Sequence, residues 1–141
     1  MEIIYNKEQL RVITDSWKNF TPTSAGDERE LFERGVVIYP VGDDFDIEVE
    51  GMAKDEAMIV VSWGITHHRD FSEYSVLFPI STKGYTFAFQ DNEEVERTES
   101  DIKKPVIFKA AEYHSAAPYR RVSKPFIALV VDMYKPEELN E

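Results

Sequence analysis

The sequence predicts a mostly β domain, a sandwich or barrel, that follows one or two N-terminal α-helices. Apolar residues recur at helical spacing near the N-terminus, and from residue 36 onward they fall into short runs rich in β-branched and aromatic residues. Turn-forming residues separate these runs at near-regular intervals, as in antiparallel sandwiches and barrels. The 141 residues suit a single domain. We expect helical support over 1–35, a β-barrel core over 36–134 and a tail over 135–141.

The first helix has a recognisable start and stop. Asn6 is a suitable N-cap and Gln9 completes a capping box three residues later. Apolar residues then follow at helical spacing: Leu10, Ile13, Trp17 and Phe20. Because Pro22 disfavours helical backbone in the residue before it, the helix is expected over 7–19.

A second, shorter helix is expected over 24–33. Ser24 or Asp27 could cap its start, and Gly35 could end it, since glycine is the usual residue just beyond a helix. The chain changes from helical to strand-like patterning at this point.

Strands account for the rest of the chain. Residues 45–51 alternate between apolar and acidic side chains, as on a half-buried strand. Residues 57–63 form a continuous apolar run, typical of a strand covered on both faces. Pro79 indicates the end or an edge of the next run. The other predicted strands cover 36–41, 74–80, 85–90, 95–100, 106–110 and 126–134. Turns are expected at Gly42-Asp43-Asp44, Lys83-Gly84, Asp91-Asn92 and Lys104-Pro105. Two facing antiparallel sheets should share a core that includes Phe87, Phe89, Ile59, Val61 and Val130.

Composition excludes several kinds of function. The chain has no cysteine, so disulfides, thiolate metal sites and cysteine nucleophiles are ruled out, and any metal must be held by His, Asp or Glu. The net charge of −11 repels phosphate backbones and makes nucleic-acid binding unfavourable. It favours a basic peptide or protein partner, although solubility alone could explain it. The apolar runs are too short to cross a membrane, and the N-terminus does not resemble a signal peptide, so a cytoplasmic location is expected.

Three residues form a candidate metal site. His68 and Asp70 flank Arg69, and alternate residues of a strand project to the same face. His114 follows the strand predicted over 106–110, which could return to the same barrel mouth. Two imidazoles and one carboxylate are the ligands of a facial Fe(II) site. Alternatively, the triplet is a surface ion pair, His67 is the ligand in place of His68, or His114 is a core or rim histidine.

The order of these residues resembles the double-stranded β-helix, or jelly roll, of the cupin-like 2-oxoglutarate/Fe(II)-dependent dioxygenases. The resemblance covers about 57–134 and includes the segment Val106-Ile107-Phe108-Lys109-Ala110-Ala111-Glu112-Tyr113-His114-Ser115. It implies that His68, Asp70 and His114 ligate Fe(II). It also implies that Lys124, ten positions after His114, pairs with the distal carboxylate of 2-oxoglutarate, with two alternatives nearby, Arg120 and Arg121.

These observations leave three functions open. The leading one is Fe(II)/2-oxoglutarate-dependent oxygenation of an unidentified substrate. The second is a cupin-like barrel that binds a metal or small ligand without oxygenase activity. The third is an acidic, non-enzymatic interaction or inhibitor protein, which would not need histidines that converge.

Overall fold

The computed structural model describes residues 2–21, 25–41 and 45–136, which form helices and antiparallel sheets. The helices are α1 (Lys7–Trp17) and α2 (Ala25–Arg34). The strands are β1 (Ile3–Tyr5), β2 (Val36–Pro40), β3 (Ile47–Val49), β4 (Ala53–Ser62), β5 (Ile65–His68), β6 (Tyr74–Ser81), β7 (Tyr85–Gln90), β8 (Glu96–Ser100), β9 (Val106–Phe108), β10 (His114–Pro118) and β11 (Phe126–Tyr134). The cap predicted at Ser24, the side chain of Asp27, the turn at 42–44 and most of the tail lie outside this description.

Both predicted helices form, with slightly different ends. The side chain of Asn6 accepts a hydrogen bond from the backbone N–H of Gln9 at 2.9 Å, which confirms the cap of α1. The helix ends at Trp17, two residues earlier than predicted. Gly35 ends α2 with a positive φ of 78° and donates its N–H to the Leu31 carbonyl at 2.9 Å.

The strands form two large facing sheets, which confirms the mostly β architecture and its double-stranded β-helix arrangement. The larger sheet has the order β2-β4-β11-β6-β9, and the smaller has the order β5-β10-β7-β8. Neighbouring strands pair antiparallel throughout both sheets. A separate ribbon of β1 and β3 was not fully predicted, because β1 has only three residues and its partner lies more than 40 positions away.

The larger sheet is covered on both faces, which explains its continuous apolar runs. One face packs against α1 and the β1–β3 ribbon, and the other packs against the smaller sheet. Residues of β4 and β11 such as Ile59, Val61 and Leu129 are fully buried in the first of these cores. Phe87 and Phe89 are buried in the second core, and Val130 packs against it. Four of the five predicted core residues are therefore buried, in two layers, and Val130 is partly buried.

Strand pairing accounts for Pro79, which was predicted to mark the end or an edge of its strand, and corrects the bounds of the strand predicted over 45–51. Pro79 lies inside β6 beside an irregularity in its pairing with β11, on the part of β6 that β9 does not reach. No hydrogen bond to β9 is therefore lost there. The strand predicted over 45–51 is limited to Ile47–Val49, although its alternation of buried and exposed side chains is present.

No helix in the described part of the chain is long and apolar enough to span a bilayer.

Candidate metal centre

Strand pairing brings the two candidate histidine ligands together. His114 begins β10, and His68 ends β5, and the two residues are direct partners across this antiparallel pair. Side chains of directly opposed residues project to the same side of a sheet. The centroids of the two imidazole rings are accordingly 4.3 Å apart.

Asp70 reaches the same point from just beyond β5. Its backbone N–H donates to the Ala110 carbonyl at 2.8 Å, which holds the segment after β5 beside the segment before β10. One carboxylate oxygen lies 3.1 Å from Nε2 of His114, and the other lies 3.5 Å from Nε2 of His68. The three side chains therefore converge. Asp70 lies outside a strand, which corrects the expectation that His68 and Asp70 project from one face of the same strand.

Backbone carbonyls fix the orientation of both imidazoles. Nδ1 of His68 lies 2.8 Å from the Thr66 carbonyl, and Nδ1 of His114 lies 2.9 Å from the Glu112 carbonyl. Because a carbonyl can only accept, each Nδ1 carries the proton, and in the neutral ring each Nε2 carries a lone pair. A carbonyl partner of this type is the usual means of orienting a metal-ligating histidine.

In this tautomer the Nε2 atoms of both histidines and the carboxylate oxygens of Asp70, all hydrogen-bond acceptors, face one another. In the neutral rings both Nε2 lone pairs point at the carboxylate of Asp70, and neither side has a hydrogen to share. A cation between them, either protons on the imidazoles or a metal ion, removes the repulsion. Burial raises the pKa of Asp70, but the hydrogen bond and charge that a protonated His114 provides, together with the charge of a protonated His68, outweigh burial and leave this pKa below its ordinary value.

The separations fit a single metal ion. The potential ligand atoms of His68, Asp70 and His114 all lie within 4.8 Å of one another. Two ligand atoms bound about 2.1 Å from one ion at right angles are about 3 Å apart, so small side-chain rotations suffice to close the site. Among the described residues, no other group of three His, Asp or Glu side chains meets this criterion.

The surroundings bury one side of the site and leave the other open. His114 is only 5% exposed, and its ring contacts the edge of Phe108, with centroids 4.9 Å apart. The Asp70 side chain is 45% exposed and the His68 side chain 34%. A metal ion held by these residues would be accessible to a small molecule from the Asp70 side.

A cavity of about 520 Å³ adjoins the three side chains. Its volume is in the usual range for ligand pockets. Its apolar lining comes from both sheets: Val36, Ile38, Met58, Val60, Ile65, Phe71, Leu77, Phe87, Phe108, Ala116, Phe126 and Val130. The remaining lining residues are polar or charged: Arg34, Glu56, Thr66, His68, Asp70, Ser72, His114, Ser115 and Asp132.

A half-buried carboxylate, Asp132, also lines this cavity and was not predicted from the sequence. Asp132 lies on β11 and accepts hydrogen bonds from the hydroxyls of Ser75, at 2.9 Å, and Ser72, at 3.3 Å. Burial raises the pKa of Asp132, the two serines oppose that rise, and the charges of Glu56 and Asp70 add to it. The available signal was a single acidic residue inside the otherwise apolar run of β11.

The structure does not bring the other predicted residues to the cavity. Lys124 lines a separate hollow with residues 18–21, the segment after α1. Its backbone carbonyl accepts a hydrogen bond from the Tyr85 hydroxyl at 3.0 Å. The Arg120 guanidinium lies over the Tyr119 ring and donates to the carbonyl of Arg121. The co-substrate role of these cations therefore stays a prediction.

His67, the alternative ligand, lies outside the cavity, and Arg34, which the sequence did not single out, lines it. His67 contacts the ring of Tyr113 edge-on, with centroids 5.3 Å apart, in a different hollow from His68. Arg34, at the end of α2, is the only arginine or lysine among the described residues that line the cavity. Nothing in its local sequence distinguished it from a cation at a helix C-terminus.

Comparison with known proteins gives distant structural similarity only. No protein-family model matches the chain, and no curated protein matches it. A cupin domain from Bordetella pertussis Tohama I is 12% identical over 71% of this chain and 94% of its own length, with a TM-score of 0.46. An oxidoreductase of the 2OG-Fe(II) oxygenase family from Burkholderia pseudomallei is 14% identical over 62% of this chain and 47% of its own, with a TM-score of 0.45. An RmlC-like cupin protein from Desulfovibrio desulfuricans is 8% identical over 81% of this chain and 92% of its own, with a TM-score of 0.42. At these values the function has to be argued from the site itself.

Proposed function

We propose that the chain is a non-haem Fe(II)/2-oxoglutarate-dependent oxygenase with His68, Asp70 and His114 as metal ligands. The observation that carries this proposal is the orientation of the donors. Two Nε2 lone pairs, each fixed by a carbonyl on Nδ1, point at one carboxylate beside a cavity of ligand size.

The donor set suits Fe(II), Mn(II) or Co(II). Two imidazoles and one carboxylate on one side of an ion leave the opposite positions free, which is the arrangement of non-haem Fe(II) oxygenases. The exposed side of Asp70 and His68 provides access for small molecules. Iron and 2-oxoglutarate, when bound, supply the oxidising power for inserting oxygen into a C–H bond, and the chain supplies ligands, orientation and an apolar enclosure.

The co-substrate needs a cation for its distal carboxylate. Arg34 is in the better position to provide it, because it lines the cavity whereas Lys124 lines another hollow. An arginine can also make the bidentate contact with a carboxylate that a lysine cannot. We therefore propose Arg34 as the partner of 2-oxoglutarate, with Lys124 as the alternative.

A second function is a metal-binding cupin-like barrel without oxygenase activity. The specific observation in its favour is that Lys124, Arg120 and Arg121 are not among the residues that line the cavity. In that case the metal site is retained and 2-oxoglutarate does not bind. The basic peptide or protein partner suggested by the net charge stays a prediction under either function.

The deciding experiment titrates 2-oxoglutarate into Mn(II)-loaded protein by calorimetry. Arg34→Gln and Lys124→Gln are matched variants, since each removes one positive charge. Arg34→Gln should weaken binding by about 10- to 100-fold, the range for a hydrogen bond to a charged group, and Lys124→Gln should not. The reverse result restores the assignment made from the sequence.

Turnover provides the second measurement. Protein loaded with Fe(II) without oxygen and then exposed to air should slowly convert 2-oxoglutarate to succinate without an added substrate. Metal binding without 2-oxoglutarate binding favours the metal-binding barrel. If neither the metal nor 2-oxoglutarate binds, and the protein captures a basic protein in a salt-sensitive manner, the result supports the acidic interaction protein.

A further inference from the structure

The cavity beside the metal centre leaves apolar side chains of central strands only partly covered. Met58 and Val60 on β4 and Val130 on β11 face the cavity and are half-buried. Both strands are internal to the larger sheet, and the alternate residues of β4, such as Ile59, are fully buried under α1 and the β1–β3 ribbon. Apolar surface exposed inside a concave site indicates a ligand that covers it.

Asp132 lies on the same face, two residues after Val130. Its Oδ1 accepts both serine hydroxyl bonds, from Ser72 and Ser75. No described residue donates a hydrogen bond to Oδ2 in the structure, so one oxygen of a half-buried carboxylate remains available within a cavity wall.

The charges around Asp132 favour a cationic group there. Glu56 lines the same cavity, and Asp70 is close enough for its charge to act on Asp132. An anionic ligand group placed against Asp132 would add to this like-charge repulsion, whereas a cationic group would offset it. A charge-assisted hydrogen bond is also about twice as strong as a neutral one.

We propose that the cavity binds a small molecule with an ammonium group on an apolar body. The ammonium group donates to Oδ2 of Asp132, and the apolar body lies against Met58, Val60 and Val130. This inference deepens the proposed function and rests on it for the role of the molecule as substrate, since the same cavity adjoins the three metal ligands. Asp132 is then the residue that selects the substrate by charge.

The test uses three probes with similar phenylalkyl bodies: 2-phenylethylammonium, 2-phenylethanol and 3-phenylpropionate. Each is titrated by calorimetry into metal-free and Co(II)-loaded protein. The ammonium probe should bind at least about tenfold more tightly than the other two, and Asp132→Asn should remove that preference by weakening ammonium binding about 10- to 100-fold.

Two further variants separate charge recognition from a structural role. Glu96→Gln removes one negative charge from an exposed position on β8, outside the cavity, and should retain the preference. Ser75→Ala deletes a hydroxyl bond to Asp132 but keeps the carboxylate charge, so it should also retain the preference.

Several outcomes overturn the proposal. These are no binding of the ammonium probe to folded wild-type protein, preference for the carboxylate probe, or equal binding by Asp132→Asn and wild type. Loss of Co(II) binding in Asp132→Asn would make this residue part of the metal site instead. Metal titration of His68→Ala is a separate measurement, so the metal-centre proposal can fail while ammonium binding to metal-free protein succeeds.

Discussion

Metal binding at His68, Asp70 and His114 should raise the melting temperature of the protein by an amount that can be calculated. A ligand present at 100 times its Kd stabilises the native state by about 2.7 kcal/mol. The unfolding entropy of a domain is about 2.1 cal/mol/K per residue, or about 0.3 kcal/mol/K for this chain of 141 residues. The expected rise with Mn(II) or Co(II) is therefore about 9 °C.

The two histidine variants should abolish this rise but differ in their metal-free stability. His114→Ala removes a buried ring that contacts Phe108 and leaves the Glu112 carbonyl without its partner. The loss should be about 2 kcal/mol, equivalent to about 7 °C. His68 is partly exposed, so His68→Ala should lower the metal-free melting temperature by less. His67→Ala is the matched control and should keep the full metal-dependent rise.

Differential scanning fluorimetry with and without metal checks this reasoning, with calorimetry to measure the Kd. An undiminished rise in both His68→Ala and His114→Ala would refute the metal centre. Loss of the rise in His67→Ala alone would show that the wrong histidine of the pair was assigned.

Three other expectations concern stability. Gly35→Ala should destabilise by at least about 1 kcal/mol, because a Cβ at this positive φ would lie 2.9 Å from the Gly64 carbonyl oxygen; chemical denaturation measures the loss, and an unchanged midpoint would contradict it. Tyr85→Phe should cost about 1–2 kcal/mol by leaving the Lys124 carbonyl without its hydroxyl donor, and a neutral result in the same assay would mean that water replaces the hydroxyl. Because the pKa of Asp132 is raised in the folded protein, its ionisation opposes folding above that pKa, and the penalty disappears below the unfolded value near 3.8. Asp132→Asn should therefore increase metal-free stability more at pH 7 than at pH 4, and an equal effect at both values would show that the carboxyl is not the cause.

Strands could be predicted because burial leaves a pattern in the sequence, an alternation where one face is buried and a continuous apolar run where both faces are covered. The run of β11 and the alternation over Tyr85–Gln90 each predicted a strand with the observed bounds. β1 was missed because three residues carry too little pattern, and its stability comes from pairing with β3 far along the chain. Local sequence cannot report pairing of that range.

The candidate site was predicted unevenly for the same reason. His68, Asp70 and His114 could be grouped because the spacing of alternate residues and a known order of strands both pointed to one place. Arg34 and Asp132 could not, since each comes to the cavity through the packing of the sheets and α2. One sign of Asp132 was present in the sequence, an acidic residue within the otherwise apolar run of β11.

The position of His68 on β5 has a consequence for how the barrel opens. β5 has four residues, lies at the edge of the smaller sheet, and pairs only with β10, with an irregular register between His114 and Ala116. None of its residues is fully buried, and segments with few buried apolar contacts and exposed backbone hydrogen bonds open at a lower free energy than global unfolding requires. An ion bound to both His68 and His114 would link this edge to an interior strand of the sheet. Amide hydrogen exchange in β5 would then report directly on metal occupancy, with slow exchange in the loaded protein and rapid exchange when β5 is held by its few backbone bonds alone.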